Sequence, residues 1–153
     1  MTASVTNEML TEGTSLHNAV TLNEAIDHTG AVFTPVVDKD KAGLVIITLL
    51  KTLDRVLELA AETLYHPVFP DDEFELLRDR KYQQYLTNRK KTSVVSRELF
   101  FNSLFGDTHY GRITKTEDFN ILNTSALRDF HSEFYTAGNL YITVAGKDPQ
   151  RAL

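Results

Sequence analysis

Apolar residues recur at helical spacing over most of the chain and at strand spacing in three short runs. Val5 and Met9 share one face of a first helix across residues 4–12, and Gly13 stands where a left-handed residue would end it. Ser15 is placed to cap a second helix reaching His28, with Ala19, Leu22 and Ile26 inward and Gly30 as its stop. Residues 31–37 and 43–50 are rich in β-branched side chains and flank Asp38-Lys39-Asp40-Lys41, which predicts a β-hairpin. The second run, from Leu44 to Leu49, is apolar on both faces. It is therefore expected at the centre of a sheet, covered by helices on at least one side.

Beyond Thr52, the residues Leu53, Val56, Leu57, Ala60 and Leu64 keep a helical stripe that Pro67 terminates. Pro70 opens the next helix; Asp71, Asp72, Glu73 and Glu75 crowd its start and Arg89, Lys90 and Lys91 its end, complementing the helix dipole. Ser93 caps a helix carrying Val95, Leu99, Phe100 and Leu104 as far as Gly106, followed by a glycine-bounded loop over 106–112. After an irregular stretch with a turn near 117–122, Thr124 caps a last helix with Leu127, His131 and Phe134 or Tyr135 facing the core. Residues 139–145 alternate as a strand and are expected to join the hairpin's sheet. The expected fold is α+β: a mixed or antiparallel sheet of at least three strands backed by a layer of helices, in one domain over residues 1–153.

Composition narrows this picture modestly. The 153 residues carry a net charge of −5 and no cysteine, so thiolate metal sites, disulfides and cysteine nucleophiles are excluded. The acidic balance offers no general attraction for nucleic acid, and no apolar run is long enough to predict a membrane span. The chain begins inside a helix, and the expectation is a domain truncated at one or both ends.

Candidate chemistry is sparse. The five histidines are at 17, 28, 66, 109 and 131, and none falls in an H-x-x-E-H array. His66 reads as a helix-terminal residue and His131 as a core residue, which leaves His109 in the glycine loop as the histidine with functional potential. Glu8 and Glu12, one turn apart, read as solvated carboxylates. There is no nucleophile elbow, phosphate-cradling loop or dinucleotide fingerprint.

A set of ordered fragments carries more. They run from Met9-Leu10-Thr11-Glu12-Gly13-Thr14 through Ala25-Ile26-Asp27 and His66-Pro67-Val68-Phe69-Pro70-Asp71-Asp72-Glu73-Phe74 to Arg97-Glu98-Leu99-Phe100. Leu104-Phe105-Gly106-Asp107, Tyr110-Gly111-Arg112, Phe130-His131 and Val144-Ala145-Gly146 continue them. In this order the chain resembles the pitrilysin/insulinase-like zinc peptidases, the inverzincins, over nearly its whole length. The resemblance places the family's H-x-x-E-H on Ser4, Asn7 and Glu8, and its third zinc ligand, a glutamate on the helix after the Phe-Pro-acidic start, on Gln84. Both histidines, the general base and the third ligand are thus replaced. A hydroxyl, an amide and one carboxylate do not hold zinc, and Asn7 has no basic site to take a proton from water.

The resemblance implies a pseudopeptidase domain with no cofactor of its own and zinc only in an intact partner half. Its implied partners are a half or subunit carrying H-x-x-E-H and an unfolded peptide held in a chamber between the halves. The family also points to the bacterial periplasm or cell envelope. Self-association is expected from the aromatic residues near the chain's end, Phe130, Phe134, Tyr135 and Tyr141. Two other functions compete: a purely structural or assembly domain of the same superfamily, and an enzyme with an unusual metal set such as Glu8 with His17.

Overall fold

The computed structural model describes residues 1–149. Seven α-helices and two strands follow in the order α1 (Thr2–Met9), α2 (Ala19–Thr29), β1 (Val32–Val37), β2 (Ala42–Ile47), α3 (Leu53–Tyr65), α4 (Asp71–Arg89), α5 (Thr92–Phe105), α6 (Glu117–Asn120) and α7 (Thr124–Phe134). Eight residues are too few for a helix to persist alone, so α1 exists because it is packed. It touches β1, β2, α4 and α7, and Val5, Thr6, Asn7 and Met9 are all buried.

Two apolar clusters form the core. Val5, Met9 and Leu10 pack with Phe69, Phe74, Leu77, Leu122 and Leu127. Leu22, Ile26 and Ala31 pack with Val56 and Leu59 of α3. Each such fully buried aliphatic side chain is worth about 1.5–3 kcal/mol. The hairpin bridges the two clusters: Leu44 lies on the first, Phe33 and Ile46 on the second. Its antiparallel register pairs Phe33 with Ile46 and Pro35 with Leu44 on this inner face.

The hairpin itself agrees with the sequence pattern, but its surroundings differ. The hairpin is covered on one face only; Val32 of β1 and Val45 and Ile47 of β2 are exposed. Residues 140–145 form no strand, so the sheet has two strands among the described residues, and Tyr141 is 92% exposed. Alternation specifies an extended backbone; it does not specify which edge that backbone meets. The stripe expected on α5 is likewise not core: the helix buries no residue, and Leu99, Phe100 and Leu104 are exposed.

Helix ends shifted for identifiable reasons. α2 is capped by Asn18, whose Oδ1 accepts from the Thr21 N–H at 2.9 Å, rather than by Ser15. Asn123 does the same for α7 through Ala126 at 2.8 Å, displacing Thr124 into the first turn, and α5 starts at Thr92 with Lys91 as its cap. α1 ends at Met9 with Leu10 still right-handed, so Gly13 is no helix cap. Its φ of 134° serves the turn that follows, where Gly13 bridges Asn18 and Thr14 bridges Pro67.

Candidate functional site

The corner between α1 and α4 gathers the residues to which the sequence draws attention. Ser4 and Glu8 lie one helical turn apart, which puts their side chains on a common face. The Ser4 hydroxyl donates to Glu8 Oε1 at 3.1 Å. From α4, the Lys81 ammonium donates to the same Glu8 oxygen at 2.6 Å and to Ser4 Oγ at 3.3 Å. The three groups form a closed ring of hydrogen bonds with one carboxylate and one ammonium in it. Lys81 is 20% exposed and Glu8 34%, so the pair is partly withdrawn from solvent and less screened than a surface ion pair.

Gln84 lies one turn beyond Lys81 and is exposed; no hydrogen bond among the described residues joins it to Ser4 or Glu8. Position 81 therefore supplies the α4 side chain that bonds to Ser4 and Glu8. Sequence reading passed over Lys81 because a lysine in a charged amphipathic helix carries no signal of its own. Its place on the same helix face as Gln84 was the available clue.

Asn7 faces away from this ring. It is fully buried, and its Nδ2 donates to the carbonyls of Val36 at 2.9 Å and Gly43 at 3.1 Å, residues paired across the hairpin. Its Oδ1 accepts from the Tyr135 hydroxyl at 2.9 Å. Burial pushes that phenol's pKa up to about 12. Only an amide supplies two donors and an acceptor here; a carboxylate would set its oxygens against two carbonyl oxygens. Position 7 is thus a bolt joining α1, both strands and the end of α7.

The remaining titratable groups lie elsewhere. His17 Nδ1 meets Glu62 Oε1 at 2.8 Å, and Thr14 donates to the same buried carboxylate. Burial alone would raise the pKa of Glu62, but hydrogen bonds from His17 and Thr14, with the nearby His17 and Arg55 charges, hold it below the ordinary value. His17 and Glu8 therefore serve different partners. His131 Nε2 donates to the Leu64 carbonyl, 2.8 Å away, and the half-buried ring stacks on Tyr135. His109 stacks on Tyr110, whose hydroxyl donates to Asp40 at the hairpin turn. Glu12 is pushed up by burial and then by Glu73, with Arg80 opposing, so it is not a freely solvated carboxylate.

These residues do not fit a zinc ion. The corner offers a hydroxyl and one carboxylate already committed to an ammonium, and no group of three histidine, aspartate or glutamate side chains among the described residues could hold a metal. What the arrangement does chemically is neutralise charge and tie helices together.

No protein-family model matches the chain. It is 22% identical over 140 residues to a Rickettsia felis protein named uncharacterized zinc protease, covering 90% of this chain and 34% of that one. Among solved structures it is similar to a peptidase M16 inactive domain from Pseudomonas fluorescens, at TM-score 0.81 and 21% identity, covering 86% of this chain and 33% of that one. A protease from Helicobacter pylori superposes at TM-score 0.82 with 22% identity, covering 90% and 34%. The chain spans about a third of the length of the proteins that it matches.

Proposed function

We propose, starting from the fold of a pitrilysin-like inactive half-domain, that this chain is the noncatalytic side of a two-half peptide-degrading chamber. The observation that carries the reading is the state of α1. Its ligand positions hold Ser4 and Glu8 locked to Lys81, and its general-base position holds Asn7 locked to the hairpin. Each of these three α1 residues has a structural partner, which fits a helix maintained for shape rather than for chemistry. Zinc and the proton-transferring glutamate then belong to a partner half carrying H-x-x-E-H, either in the same polypeptide or in another subunit. This half supplies wall and surface for an unfolded peptide. No helix among the described residues is long and apolar enough to cross a membrane.

The test is co-purification. The complete product of the gene encoding this chain should isolate with a polypeptide, or contain a segment, that bears intact H-x-x-E-H. A complete gene product that lacks the motif and partners only with non-peptidase subunits would favour the assembly-domain reading instead.

A further inference from the structure

A missing ligand set explains why zinc is not held, but it does not explain the lysine. We propose that Lys81 is a tethered cation: its ammonium occupies the α1–α4 corner in place of a metal ion, neutralises Glu8, and keeps the corner closed to divalent ions. The proposal rests on the noncatalytic reading only for the idea that this corner corresponds to a metal position.

The geometry supports it in three ways. First, the ammonium sits against the two side chains, Ser4 and Glu8, that occupy the metal-ligand positions, at 3.3 and 2.6 Å. A positive centre is thus bound by both, with the Ser4 hydroxyl turning its proton to Glu8 and its lone pair to Lys81. Second, Glu8 is 34% exposed, and without a counter-charge its partly desolvated carboxylate would be disfavoured. The four-carbon stem lets Lys81 deliver charge from α4 while its own chain stays 80% covered. Third, a dication entering here would have to sit within a few ångströms of an ammonium, where like-charge repulsion is strong in a partly dry site. The pair also joins helices 73 residues apart in sequence, so the tether does the holding that a metal does when it joins two helices.

Zinc titrations by calorimetry, on variants whose folding is checked by circular dichroism, separate ligand supply from cation exclusion. Ser4→His with Glu8→His offers two imidazoles while Lys81 remains. Adding Lys81→Met removes the ammonium without adding a ligand, and zinc should then bind at least about tenfold tighter. Replacing that third change by Lys81→Glu should tighten binding again, because a carboxylate arrives where the ammonium was. Equal zinc affinity with Lys81 present and with Lys81→Met would overturn the exclusion. A folded triple variant with Lys81→Glu that ignores zinc would overturn the placement.

Should the histidine variants not fold, the single change Lys81→Glu in the otherwise native chain decides. It faces Glu8 with a second carboxylate, so manganese should raise the melting temperature of this variant and leave the native chain's unchanged. No manganese effect on a folded Lys81→Glu chain would overturn the proposal, as would an equal effect on both. Failure of these tests leaves the noncatalytic reading standing, whereas zinc binding by the native chain would end both.

Discussion

Asn7 occupies the position that the family resemblance gives to a catalytic base, yet all three of its hydrogen bonds are architectural. Asn7→Ala should cost about 1–3 kcal/mol, since it removes the partner of two part-buried carbonyls and of the Tyr135 hydroxyl. Asn7→Asp keeps the shape but loses both donors, and should be about as damaging at neutral pH. Urea midpoints compare the three proteins; wild-type stability in Asn7→Ala would mean that the bolt does not hold. Glu62 gives a pH prediction. Its folded pKa is depressed, so its contribution is present above the unfolded value of about 4.3 and is lost as pH falls through the folded value. Stability measured from neutral pH downward should therefore fall less steeply for Glu62→Gln than for the native chain, and parallel curves would refute the assignment. At this scale the sequence allowed Ser4, Asn7 and Glu8 to be judged, by residue type alone, as a poor set for zinc and proton transfer. It could not show the partners of these residues: Lys81 and Tyr135 reach α1 from 73 and 128 residues away, and no local pattern encodes such partners.

Elements were readable where a pattern had one physical meaning. The stripe on α3 and the turn between the β-branched runs each specify their element, and both form, although Leu57 of the expected stripe is exposed and Leu59, outside it, is buried. Ambiguity entered where apolar residues had more than one use. α5 carries Leu99, Phe100 and Leu104, which pattern reading assigns to a core, and all three are exposed. Val45 and Ile47 behave alike on β2, as do Tyr141 and Ile142 in the unpaired segment. Periodicity records that a face is apolar; it cannot record whether its cover is within the same stretch of chain. These exposed faces lead to the expectation that the isolated chain self-associates. Sedimentation should show mass rising with concentration, and Ile47→Lys with Phe100→Glu should lower it while circular dichroism stays unchanged. A strict monomer over a wide concentration range would contradict this.

For the whole molecule, fold and chemistry point the same way from independent observations. The ordered fragments resembling pitrilysin/insulinase-like peptidases are matched by a backbone that superposes on an M16 inactive domain and on a protease. Within that backbone, Ser4 and Glu8, to which the resemblance assigns the zinc-ligand positions, are bound to the Lys81 ammonium. On the proposed reading, the use of such a domain lies in the chamber that it helps to enclose. The direct measurement is cleavage of an unstructured fluorogenic peptide by the H-x-x-E-H half, with and without the complete gene product containing this chain. The account predicts little cleavage by either alone and a large gain when the two are combined, abolished by changing the partner's H-x-x-E-H glutamate. Cleavage that persists when that glutamate is changed, or that is unaffected by adding this gene product, would contradict it.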